Sequence, residues 1–357
     1  MRERSMLSSD FSEVINLADR VRYTYDIKES SLSVVDELDD TSNELKSHLY
    51  SNELLISKDV TPDLYAAIER VSERLNFPVS SISAFVYATP EINAFCVQGG
   101  GYGCVLRFSS GLIDILNADE FEFVVGHELG HFLFEHLGSS MLHNDMDLER
   151  LIKLRSQELS ADRIGLLGCK SLDVAIRSIL KTVSGLNDKH LRFDASKYIS
   201  QLNQVSDDSM SNIEMTHPSM LVRCRALLWF SISHIYLDVN DYNSNDIETL
   251  DNRVKLDMDR YVDSSSIAII ENTKKSVALW KAAHNIIQKD KFTKSEQALF
   301  EKNFGRDSLK NLIRIVSELD KSEADNLIYD EFKKYRGMLE KLIPTTFESE
   351  MLKLDCN

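Results

Sequence analysis

Asn117-Ala118-Asp119-Glu120-Phe121-Glu122-Phe123-Val124-Val125-Gly126-His127-Glu128-Leu129-Gly130-His131-Phe132-Leu133 reads as one helix with apolar residues on most of its circumference. Asn117, with Glu120 three residues later, forms a capping box that opens it. Phe121, Val125, Leu129 and Phe132 oppose the face that carries His127 and His131, so the helix is expected in the core. Gly126 and Gly130 each cost about 1 kcal/mol in a helix interior. Their spacing makes sense if another backbone passes close by. Within this helix, His127-Glu128-Leu129-Gly130-His131 is an H-E-x-x-H. Residues four apart stack on one helix face, so both imidazoles can reach one ion, while Glu128 lies about 100° away, within reach of water at that ion. Two buried histidines and a buried glutamate would be costly without such a task, and zinc is the expected ion.

A zinc ion that keeps one position open needs a third protein ligand. Glu158 in Glu158-Leu159-Ser160-Ala161-Asp162 is the candidate, with room between it and His131 for a turn and a second helix. Asp162, one turn on and on the same face, could accept the second N–H of a ligating histidine. Ala161 and Gly165 keep that face small, so this helix can come close to the metal. Thr216-His217-Pro218 supplies a histidine that could hydrogen-bond an oxyanion, and Arg223 could hold that histidine or a site carboxylate. Asn93-Ala94-Phe95 precedes Gly99-Gly100-Gly101. With no G-K-[ST] after the glycines, an edge strand that pairs with an extended peptide fits better than a phosphate loop, and a plain hairpin turn is the alternative. His136 and His143 fit no ligand spacing and are read as surface histidines.

Upstream, the first 50 residues read as one or two polar helices. A helix is expected from Thr61-Pro62, with Thr61 as N-cap and Leu64, Ile68, Val71 and Leu75 on one stripe. Three β-like runs follow: Ile82 to Ala88, Ile92 to Gln98 and Gly103 to Phe108. From Asn117 on, the chain is helical almost to its end. In the C-terminal part, Val277, Trp280, Ala283, Ile286 and Ile287 form a core stripe, and Thr293 with Glu296 forms a second capping box. The fold class expected is α+β: a mostly helical, zincin-like domain at 59–239 with a small sheet, an N-terminal helical segment at 1–58 and a helical domain at 246–357, after a polar linker at 240–246.

The 357 residues give room for two or three domains. The net charge of −16 and the absence of a dense Lys/Arg patch argue against nucleic acid as a partner. No apolar run is long enough for a membrane span, and no signal peptide opens the chain. Five cysteines without a C-x-x-C suggest free thiols in a reducing cytoplasm.

Together, Asn93-Ala94-Phe95, Gly99 to Gly101, Ser110-Gly111-Leu112, Asp119 to His131, Glu158 with Ala161-Asp162, and Thr216-His217-Pro218 with Arg223 resemble metallopeptidase family forty-eight. These are gluzincins, the group of HtpX, the CAAX prenyl proteases and the mitochondrial Oma-type proteases, and the resemblance spans roughly residues 60 to 235. It implies one zinc ion held by His127, His131 and Glu158, with Glu128 as general base and acid. It implies His217 and Arg223 near the transition state, and Asp162 in the role of the family's supporting aspartate. Many members are membrane proteins, whereas no span is read in this sequence, so a soluble or cytosol-presented protein substrate is expected here. The function expected is a cytoplasmic zinc metalloendopeptidase that uses a zinc-activated water. The alternatives are a regulatory scaffold with a structural zinc, or a latent protease covered by its terminal helices. The C-terminal helices, in which Asp290 to Glu296 faintly resembles TerB-type domains, are a candidate surface for a protein partner.

Overall fold

A computed structural model describes residues 11–27, 47–98, 103–136, 147–192, 194–201, 218–237, 246–289 and 291–356. They form an α+β fold, mostly helical, with one small mixed sheet. Gly99, Gly100, Gly101, His143 and His217 lie outside the described residues, as does most of the expected linker.

In chain order, helix α1 (Ser12–Val21) is followed by strand β1 (Leu54–Leu55), helix α2 (Pro62–Leu75), and strands β2 (Ile82–Tyr87), β3 (Ala94–Gln98) and β4 (Cys104–Ser109). Then come helices α3 (Ser110–Ile115), α4 (Ala118–Leu133), α5 (Leu148–Cys169), α6 (Leu172–Ser184), α7 (Ala195–Ile199), α8 (Met220–Ser231), α9 (His234–Leu237) and α10 (Ile247–Tyr261). The last are α11 (Ser264–Ile287), α12 (Lys294–Phe304), α13 (Arg306–Glu318), α14 (Lys321–Leu342) and α15 (Phe347–Cys356). They pack as two compact units. The first runs to Val262 and therefore includes α10; the second comprises the chain from Asp263 together with the start of α5, up to Ile152.

The sheet order is β1-β2-β4-β3, with β2 and β4 parallel and both outer pairs antiparallel. The strand alternation places Cys104, Leu106 and Phe108 of β4 and Cys96 of β3 in the main core, which the buried residues of α2 and α4 share. The opposite face holds a smaller cluster of Leu49, Phe85 and Val105. Strand β3 is thus at an edge of the described sheet and lies against α4.

Helix α4 is the central element. Its capping box forms as expected: Asn117 Oδ1 accepts the Glu120 N–H at 3.0 Å, and Glu120 Oε2 accepts the Asn117 N–H at 2.9 Å. Glu120 and Lys181 are both fully buried and bond to each other at 2.7 Å, which fastens α6 to the start of α4. Glu122 is clasped by Arg70 and Arg74 of α2. At Thr61 the expectation needs correcting. Pro62 opens α2, but the Thr61 hydroxyl accepts no helix N–H; it takes the Ser57 N–H at 3.0 Å and closes the preceding turn instead. In the second unit, Thr293 and Glu296 form their capping box, and Ala283 and Ile287 pack with Phe300, Leu309, Leu312, Ile315, Ala324 and Ile328.

Candidate metal centre

The small residues of α4 serve as the sequence suggested. A Cβ on Gly126 would sit 2.9 Å from the Gly165 Cα, and one on Gly130 would sit 2.9 Å from the Ala161 Cα. Real side chains do not tolerate such contacts, so α4 and α5 touch backbone to backbone, and glycine is required at 126 and 130. That close crossing delivers Glu158 and Asp162 to the histidine face of α4.

The three donor groups converge. His127 Nε2 and His131 Nε2 are 3.2 Å apart. Glu158 presents Oε1 at 3.3 Å from His131 Nε2 and Oε2 at 3.6 Å from His127 Nε2. Donors held about 2.0–2.1 Å from a zinc ion at tetrahedral angles stand about 3.4 Å from one another. The spacings here are close to that value, with each Glu158 oxygen facing one imidazole; one donor atom from each of the three residues lies within 4.8 Å of the others, and all three residues are buried or nearly so. Two imidazole nitrogens that face each other beside a carboxylate form a donor set that could hold a cation. Burial works against charge on His131, but the hydrogen bond and charge of Glu158, with Glu128 and Asp162 nearby, raise its pKa.

Behind His127, its Nδ1 lies 3.0 Å from Asp162 Oδ1. Arg223 grips both oxygens of the same carboxylate, with Nε at 2.8 Å from Oδ2 and Nη2 at 2.6 Å from Oδ1, and its Nη1 is 3.9 Å from Glu158. Burial opposes ionisation of Asp162, yet the Arg223 charge and the hydrogen bonds hold its carboxyl below the usual range. An ionised carboxylate only accepts, so His127 Nδ1 carries its proton and Nε2 is left as the donor atom. Glu128 is buried at 7% exposure and lies near the Cys96 thiol of β3. Of the residues expected on the substrate strand, Asn93 is exposed at the start of β3, Ala94 faces the core, and Phe95 stands on the opposite face beneath Arg107, 4.5 Å from it.

His136 overturns the surface reading. It is 8% exposed, its Nδ1 lies 3.0 Å from His131 Nδ1, and its Nε2 lies 3.1 Å from Asp26 Oδ2. Neither His136 nor Asp26 announces itself by ligand spacing. The only sequence signal was a histidine a short step beyond an H-E-x-x-H, flanked by the aromatic residues Phe132 and Phe134.

Residues 58–153 match the family model described as Peptidase family M48. That stretch of the chain is similar to the family. The M48 match contains both histidines and Glu128 but stops before Glu158, Asp162 and Arg223, which the fold supplies. The chain is 23% identical over 202 residues to plastoglobule-localized metallopeptidase 48 of Arabidopsis thaliana, covering 49% of this chain and 58% of that protein. It is 34% identical over 80 residues to a protease HtpX homolog of Thermococcus kodakarensis, covering 22% of this chain and 27% of the relative. A Streptococcus pneumoniae protease HtpX homolog is 32% identical over 76 residues, 21% of this chain and 25% of that one. The chain therefore spans little more than half of the plant relative and about a quarter of these two HtpX homologs. No solved structure matches it. No helix among the described residues is long and apolar enough to cross a membrane.

Proposed function

We propose that this chain is a zinc-dependent metalloendopeptidase that cleaves protein or peptide substrates, with its peptidase domain at residues 59–239. The observation that carries the reading is the convergence of one donor atom each from His127, His131 and Glu158 within 4.8 Å of one another, with Glu128 next to His127 in the chain. Zinc held by these three residues would polarise a peptide carbonyl and bring the pKa of a water to about 7. Glu128 takes the proton of the attacking water and returns it to the leaving amine. Arg223 acts through Asp162, which holds His127 in the ligating tautomer, and His217 is proposed to hydrogen-bond the developing oxyanion.

The main chain of Asn93, Ala94 and Phe95, with Gly99 and Gly100, is the proposed seat for an extended peptide, added to the sheet at β3. Four described cysteines are free thiols, which suits the reducing cytoplasm proposed as its place of action.

Metal analysis paired with a peptide-library digest tests the reading. The wild type is expected to hold one zinc per chain and to cut peptides. Glu128→Gln is expected to keep the zinc and lose cleavage by at least about 10²-fold, the scale of a general base. Full turnover by Glu128→Gln would remove Glu128 from the mechanism.

A further inference from the structure

We infer that Asp26 and His136 form a relay that sets the tautomer of His131, leaving its Nε2 lone pair to the metal; this deepens the zinc reading and rests on it. Asp26 is the acceptor end of the relay. Its Oδ2 takes the Ser160 hydroxyl at 2.7 Å, Arg22 Nη1 at 3.2 Å and His136 Nε2 at 3.1 Å. A carboxylate gripped by a hydroxyl and a guanidinium is an acceptor, so His136 Nε2 carries a proton. A neutral imidazole then has a bare Nδ1, which must accept at 3.0 Å from His131 Nδ1–H. With its proton on Nδ1, His131 has a bare Nε2, and that atom faces His127 and Glu158. One carboxylate therefore orders two imidazoles in series. His127 obtains the same result from Asp162 directly, so each histidine of the pair has its own carboxylate anchor.

The backbone is shaped for this contact. Helix α4 ends at Leu133, and Glu135 takes a φ of 60°, a left-handed conformation that residues other than glycine seldom adopt. That reversal turns His136 back onto His131. The Phe134 ring stacks on His136 with centroids 5.4 Å apart, and Arg22 lies over the Phe134 ring at 4.5 Å while its Nη2 donates to the Phe134 carbonyl at 3.3 Å. Ser160, which donates to Asp26 and accepts the Tyr23 N–H at 3.0 Å, lies on α5 between Glu158 and Asp162. Asp26 precedes the segment that matches the family, so this support comes from the chain's own N-terminal part.

The test measures zinc affinity of the full chain by competition with a chromogenic chelator, with zinc sulfate as the metal source. Asp26→Asn keeps the shape but lets an amide N–H donate to His136 Nε2, which reverses the relay and puts a proton on His131 Nε2. His136→Leu removes the relay, and His136→Asn returns an acceptor oxygen near the position of Nδ1. Asp26→Asn and His136→Leu are expected to weaken zinc by about 10–100-fold, with His136→Asn recovering most of the loss. Nitrogen-15 NMR of the histidines in the zinc-loaded wild type is expected to show His131 with its proton on Nδ1 and His136 with its proton on Nε2. Wild-type affinity in a folded Asp26→Asn overturns the relay and leaves the zinc reading standing. If the variants do not fold, the wild-type spectrum decides, and a His136 proton on Nδ1 overturns the relay. A wild type that takes up no zinc at all overturns both readings.

Discussion

At the scale of the residue, Asp162 does two things with one carboxylate. It fixes the donor tautomer of His127 and neutralises Arg223, which is raised above its ordinary pKa against the cost of burial, chiefly by the Asp162 charge. Replacing Asp162 by Asn leaves a buried guanidinium without its countercharge. We expect a stability loss of about 3–5 kcal/mol by urea unfolding and a weaker hold on zinc. The pH dependence has a definite sign. Because the folded carboxyl is held below its usual value, its contribution is complete above about pH 4 and is lost as the pH falls through the lower, folded value. Acid unfolding curves of the wild type should carry this component, and those of Asp162→Asn should lack it. Glu128, His127 and His131 were legible from their spacing alone. His136 was not, because a helix period says nothing about where the chain goes after the helix ends.

At the scale of the element, the decisive contact is the crossing of α4 and α5. Substituting Gly130 by Ala would gain about 1 kcal/mol of helix propensity. The new Cβ, however, would meet the Ala161 Cα at 2.9 Å and the Ala161 carbonyl at 3.2 Å, and backbone atoms in a packed core cannot yield cheaply. The expected result is a net loss of about 1–3 kcal/mol in thermal unfolding, with weaker zinc binding, because α5 carries Glu158 and moves with the crossing. An unchanged melting temperature in Gly130→Ala would show that the helices do not need this closeness. Here the sequence was informative: two glycines four residues apart in an otherwise apolar helix, facing Ala161 and Gly165, mark a close approach. The strands β2, β3 and β4 were equally visible as short runs rich in β-branched and aromatic residues. The capping role expected of Thr61 failed because the Ser57 N–H competes for the same hydroxyl, a choice set by the turn before α2.

At the scale of the whole molecule, the N-terminal part is built into the first unit. Phe11, Val14, Ala18 and Val21 are buried in its main core, and Thr24 bonds through both its N–H and its hydroxyl to Asp251, which also receives Arg163. A cover that can be trimmed to wake a latent enzyme would not be buried in this way. A chain that begins at residue 47 is therefore expected to lose stability and zinc affinity together, with no rise in peptide cleavage over the full chain. Calorimetry and the chelator assay on the two forms decide it, and a stable, more active short form would restore the latency reading.

What the sequence determined by itself is everything that depends on near neighbours: the capped helix, the paired imidazoles on one face of it, Glu128 between them, and the short strands beside them. These follow from periodicity and capping, interactions a few residues long. The tertiary structure decided which distant groups complete the centre. Asp162 meets His127 across 35 residues, and Asp26 meets His136 across 110. Such pairings depend on how far two backbones can approach at Gly126, Gly130, Ala161 and Gly165, and on one left-handed residue at Glu135 that reverses the chain. Steric fit and chain reversal act through space, so no local pattern encodes them.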